Sequence, residues 1–210
     1  MSEILDRFPL FPLGLVLLPQ ETVPLHIFEE RYKTMIGQCL EAETEFGVLW
    51  LSDDGLRDVG CAASISRVLE RADDGRLNIL AEGTRPFRLL RRVEDLAYPA
   101  GDVEMLEEDS GDALDSAAAA QARERYADLV DRATDTRPEP DDLEELDAYG
   151  MAATVDLAVG AKQELLELRD EQVRLERVAQ LLEDALGRIE YAEQAGELAR
   201  SNGRARPGRP

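Results

Sequence analysis

The chain is poor in the residues from which most catalytic and metal centres are built. It has one histidine, His26, and two cysteines, Cys39 and Cys61. A single histidine excludes a His-rich zinc site and, placed beside Leu25 and Ile27, reads as an ordinary strand residue rather than the base of a triad. Cys39 falls on an apolar helical face and Cys61 next to Ala62 and Ala63, so both read as small buried hydrophobes and not as a disulfide. Lysine occurs only at positions 33 and 162, and every other basic residue is arginine. No apolar run approaches the roughly 20 residues that cross a bilayer. The start, Met1-Ser-Glu-Ile-Leu-Asp6, lacks the basic and apolar regions of a signal peptide, so a cytoplasmic protein without membrane contact is expected.

What is abundant is acid. Against 24 basic residues stand 45 acids, a net charge of −21 over 210 residues. From Glu107 to Val159 there are sixteen acids and four arginines. Such a surface repels phosphate backbones and reads as a solvated face that maintains solubility. Hydrophobic residues make up 44% of the chain, enough for a core of one large or two small domains.

The apolar residues are organised differently in the two halves. Phe8 to Leu25 is cut by prolines at 9, 12, 19 and 24, which excludes helix and predicts short edge strands and turns. Ile27 to Leu40 takes helical spacing, with Tyr32, Met35, Ile36, Cys39 and Leu40 on one face. Phe46 to Leu51 reads as a buried strand and Val59 to Glu70 as another. Asp74-Gly75 predicts a hairpin with the return strand Leu77 to Ala81. Gly83-Thr-Arg-Pro86 predicts a break before a strand from Phe87 to Val93, and Tyr98 to Leu106 reads as the last strand. All five phenylalanines and the single Trp50 precede residue 88. With too few helical connections for a doubly wound sheet, a small mixed or antiparallel barrel is expected.

Beyond the polar stretch Glu107 to Asp112 the period changes to about 3.6. Helices are predicted over Ala113 to Ala133, over Leu143 to Val159 with Asp141 or Asp142 as N-cap, over Ala161 to Leu168, and from Asp170 to about Leu198. In the last of these, Leu168, Leu175, Leu182 and Ile189 recur every seven residues, a seam read as packing within the chain's own bundle rather than as a coiled-coil dimer. The arginine-bearing end, Ala199 to Pro210, has almost nothing to bury and is expected to be disordered. The expected organisation is α+β: a β-rich part over 1–106, a helical bundle over 107–198 and a tail over 199–210.

The order of proline-broken strands, a helix opening with Phe28-Glu-Glu-Arg-Tyr32, and a buried strand resembles the amino-terminal, substrate-binding domain of the Lon protease family. Val59-Gly60 with Ile65-Ser-Arg-Val-Leu69, the hairpin from Asp74-Gly75 to Arg85-Pro-Phe-Arg-Leu89, and Lys162-Gln-Glu-Leu-Leu-Glu-Leu-Arg-Asp170 with Arg174-Leu175 and Leu181-Leu182 extend that likeness over roughly residues 7 to 190. It implies a PUA-like pseudo-barrel followed by a C-terminal helical bundle. It also implies a non-catalytic module for unfolded or partner polypeptides, in quality control or as a protease adaptor, with the cleft between barrel and bundle as the expected binding place.

The ATPase and peptidase parts of full-length Lon have no counterpart in this sequence. Neither lysine stands in a Gly-x-x-x-x-Gly-Lys-Ser/Thr loop. Ser110 and Ser116 sit in polar or alanine-rich surroundings, and Lys162 is expected to be solvent-exposed on its helix, so no Ser-Lys dyad is expected. No catalytic, metal-binding or cofactor-binding residue is assigned, and the peptide-binding residues and oligomeric state stay open. Two alternatives are weaker. An RNA-binding role would rest on Arg85, Arg88, Arg91 and Arg92, which strand alternation divides between faces. An enzyme using paired carboxylates would need a buried convergent pair of acids.

Overall fold

The computed structural model describes residues 3–106, 113 and 116–202, with side chains as far as residue 195. Seven strands come first: β1 (Ile4–Leu13), β2 (Thr22–Ile27), β3 (Phe46–Ser52), β4 (Gly55–Leu56), β5 (Val59–Arg71), β6 (Leu77–Val93) and β7 (Ala100–Met105), with helix α1 (Glu30–Ala42) between β2 and β3. Five helices follow: α2 (Ala117–Thr134), α3 (Pro140–Glu144), α4 (Ala148–Ala153), α5 (Val159–Glu167) and α6 (Glu171–Asn202). The α+β class expected from the sequence is the class observed.

The sheet closes on itself. The order β1-β7-β6-β5-β3 is completed by a parallel pairing of β1 with β3, Leu10 to Leu13 against Gly47 to Trp50. The prolines fit this closure. The first half of β1, through Pro9, pairs with β7, and the second half, containing Pro12, pairs with β3. Each proline therefore sits where β1 has one neighbour, and its missing N–H is not required by a second. Pro24 lies on β2, which pairs only with β6.

Inside the barrel, Phe8, Leu10, Leu49, Ala62, Phe87, Val103 and Met105 form one buried cluster. Phe87 is its plug, edge-on to Phe8 at 5.7 Å. Gly47 and Gly60 make room for that ring: a Cβ on Gly47 would stand 2.6 Å from the Phe87 ring, and one on Gly60 2.3 Å from the Val48 carbonyl.

The strand expected to break at Gly83 does not. β6 runs unbroken through Gly83 and Pro86. Gly83 is there for close approach rather than for a turn, since a Cβ would lie 2.1 Å from the Leu18 carbonyl oxygen. Its N–H donates to Glu21 O and its carbonyl accepts from Gln20 N. Helix α1 begins three positions later than its apolar periodicity suggested, because Ile27 ends β2 opposite Leu77. The face Tyr32, Met35, Ile36 and Cys39 is buried as the spacing required, and both cysteines are buried and outside any disulfide.

The helix expected over Leu143 to Val159 is two short ones. Pro140 starts α3 ahead of the expected caps, and Asp147 then caps α4 by accepting from Gly150 N at 2.6 Å. Asp170 caps α6 through Gln172 N and Val173 N, as expected. On α6, Leu175, Val178 and Leu182 are buried in a cluster shared with Ala119, Ala122 and Leu129 of α2, so the heptad seam packs within the chain. The polar stretch 107–112 and residues 203–210 of the expected tail lie outside the described residues, and α6 continues past Leu198 to Asn202.

The helices are joined by a buried ion pair. Arg174 donates to Glu171 and to Leu168 O, and its guanidinium lies 4.1 Å over the Tyr149 ring. Glu171 Oε1 accepts from Ala148 N at 2.8 Å, tying α6 to the first turn of α4. Removing one partner strands a charge in the interior, so Glu171→Ala is expected to lower the unfolding free energy by about 3–5 kcal/mol. The double change Glu171→Leu with Arg174→Met is expected to recover much of that loss in denaturant titration; equal loss in both variants would contradict the assignment.

Candidate functional site

Between barrel and bundle there is packing where an open cleft was expected. Lys162, expected in solvent, has a side chain only 14% exposed and donates to Glu21 Oε1 of the β1–β2 loop. Gln20 donates to both carboxylate oxygens of Asp147, at 3.0 and 2.9 Å, and Gln163 to Val59 O at 3.1 Å. One continuous apolar cluster runs from α1 and the barrel wall into α2, α4, α5 and α6.

The groove lies instead at the end of the parallel pair. β1 and β3 stop together at Leu13 and Ser52, and the chain leaves them in different directions, toward the β1–β2 loop and into the short β3–β4 hairpin. The gap is walled by the start of α1 and by the 94–99 connection. It comprises two cavities of about 790 and 390 Å³ that share Pro12, Arg31, Leu56, Arg92 and Pro99. Phe11, Leu13, Phe28, Tyr32 and Leu51 line the larger, and Leu10, Val93, Leu96 and Ala97 the smaller. Two large apolar side chains on this rim face water, Phe28 at 59% and Leu51 at 51% exposure. Phe11 stacks on Tyr32 at 4.2 Å and fixes the floor to α1. His26 and Phe28 stack at 5.7 Å on the outer lip.

The polar groups of the groove are few. Arg31 is held by Glu29 at 2.8 Å. The phenols of Tyr32 and Tyr98 are raised above the ordinary tyrosine value by burial, and Tyr98 donates to Gln38 Oε1 at 2.6 Å. Outside these two cavities, Asp102 accepts from the Arg7 main-chain N–H and from Arg91. These bonds, led by the Arg7 N–H, hold its carboxyl below the ordinary value of 3.8.

Of the arginines considered for RNA, Arg85 is engaged by Glu3 and Arg91 by Asp102, so these four do not form a free basic stripe. Ser116 is the N-cap of α2, and Ser110 lies outside the described residues. The buried acid Glu171 is far from a convergent pair: its partner is Arg174. Among the described residues no group of three or more His, Cys, Asp or Glu is arranged to hold a metal ion, and no helix is long and apolar enough to cross a membrane.

The family model of the ATP-dependent protease La (LON) substrate-binding domain matches residues 7–184. The chain belongs to the Lon substrate-binding domain family. It is 28% identical over 203 residues to the Lon protease of Paraburkholderia phytofirmans, covering 87% of this chain and 24% of that protein, so it spans about a quarter of that curated relative. Among solved structures it resembles the Lon N-terminal domain protein from Xanthomonas campestris, with 29% identity, a TM-score of 0.66, and coverage of 83% of this chain and 97% of that one. The N-terminal domain of Mycobacterium avium complex Lon protease shares the fold at 20% identity, with a TM-score of 0.65 and coverage of 85% and 99%.

The groove residues were not legible one by one. Pro12, Phe28 and Leu51 each stood in an apolar run; what brings them together is the β1–β3 pairing, which leaves no local pattern.

Because Asp102 is held below its unfolded value, its contribution to stability is present above about pH 4 and is lost as pH falls through the lower folded value. Asp102→Asn is therefore expected to be less stable than the parent at neutral pH, with the difference shrinking toward pH 2 in thermal melts. A difference that grows on acidification would contradict this linkage.

Proposed function

We propose that this chain is a non-catalytic module that captures extended, apolar segments of unfolded or partner polypeptides in the groove at the end of β1 and β3. The observation that carries this reading is the exposed pair Phe28 and Leu51 on the rim of an apolar groove of peptide dimensions. Large exposed apolar side chains around a concave floor favour binding partners over solvent. The family supports the substrate class, since its description is that of a substrate-binding domain. The sheet edges are poorer templates. β1 and β2 carry prolines, and β5, which past Ala63 pairs with β6 alone, is made irregular there by register shifts at Ile65/Arg67 and Val68/Glu70 in that ladder.

A role in quality control, or as an adaptor to a protease in the cytoplasm, belongs to the same proposal, as does the absence of peptide hydrolysis. Nucleic acid is a poor partner for a chain of net charge −21 whose Arg85 and Arg91 are engaged by acids.

Reduced, carboxymethylated lactalbumin, which cannot fold, is expected to bind the purified chain, and native lactalbumin is not. Binding should persist at high salt. Phe28→Ser combined with Leu51→Ser should weaken it by about tenfold or more, as truncation of interface anchors does. Equal binding of the double variant, with its fold intact by circular dichroism, would contradict this site.

A further inference from the structure

The chain's single histidine lines the groove, and its neighbours decide which ring nitrogen carries the proton. β6 lies between β2 and β5, so His26, Asn78 and Glu70 stand side by side across three strands. Asn78 Nδ2 donates to Glu70 Oε2 at 2.7 Å. A carboxylate only accepts, so this bond turns the Asn78 amide oxygen toward His26. That oxygen lies 2.5 Å from His26 Nδ1. Two acceptors cannot share this contact, so Nδ1 carries the hydrogen. A neutral imidazole has one N–H, and Nε2 is then left as an acceptor.

This ring is stacked on Phe28, the most exposed aromatic of the groove. Around it, Arg31 and Arg92 only donate, and Glu29 is engaged with Arg31. Pro12 and Pro99 add no main-chain N–H to the floor.

We propose that His26 is a specificity-determining residue: as the Nδ1–H tautomer, it accepts through Nε2 a main-chain N–H of an extended polypeptide whose apolar side chain lies on Phe28. Glu70 and Asn78 are positioning residues that fix the tautomer without touching the ligand. This inference rests on the groove reading above. The charged groups facing the ring are Glu70 through Asn78, and Glu29, Arg31 and Arg92 of the groove.

Because His26 is the only histidine, nitrogen-15 imidazole spectra of the intact chain report it without ambiguity. The neutral ring is expected as the Nδ1–H tautomer, and Asn78→Ala is expected to shift it toward Nε2–H. Binding of carboxymethylated lactalbumin is then compared between the parent and His26→Phe. His26→Phe keeps a ring on Phe28 but removes the acceptor; its affinity is expected to be about three- to tenfold below the parent's, the worth of one net hydrogen bond.

A parent ring in the Nε2–H form overturns the proposal. So does His26→Phe that keeps parental affinity while the Phe28/Leu51 double variant loses binding, a result that leaves the groove reading standing. Failure of the parent itself to bind unfolded lactalbumin overturns both.

Discussion

Closure of the barrel by the parallel β1–β3 pair is the constraint from which the rest follows. Parallel neighbours cannot be joined by a tight turn, so the chain between Leu13 and Phe46 must cross over outside the barrel. That crossover carries β2 and α1. Helix α1 is amphipathic because it has to cover the wall it crosses, and its face Tyr32, Met35, Ile36 and Cys39 packs with Phe11, Phe46 and Val48. The same closure makes the groove. Past the paired stretch β1 leads into the β1–β2 loop and β3 into its hairpin with β4, and the groove lies where they part.

The helical half packs against the barrel wall. Its acids are mostly solvated, whereas its interior depends on Glu171 and Arg174, which hold α4, α5 and α6 in one arrangement. That bundle meets the barrel through Lys162, Gln163 and Asp147, against Glu21, Val59 and Gln20. These contacts fill the junction, and the capture site proposed above is the groove at the barrel mouth.

Much of this architecture was legible in the sequence, for identifiable reasons. Proline at 9, 12, 19 and 24 excludes helix by sterics alone, and the change of period near residue 107 separates strands from helices. Asp170 and the Asp74-Gly75 turn act through local hydrogen bonding that a sequence shows directly. The misreadings share one cause: the deciding contact is remote. Gly83 looks like a breaker until the Leu18 carbonyl is seen against it. Lys162 looks exposed until Glu21, distant in sequence, is placed beside it. The groove was expected between barrel and bundle, since no local pattern shows that β1 pairs in parallel with β3. His26 was read as an ordinary strand residue; only the register across three strands joins it to Asn78 and Glu70.

The central claim is that the barrel mouth, and not the bundle, takes up polypeptide. Amide hydrogen exchange of the intact chain, with and without carboxymethylated lactalbumin, tests it most directly. The account predicts slower exchange confined to residues 26–32, 51–56 and 92–99. Protection that falls instead on α2 and α6, with those three segments unchanged, would contradict it.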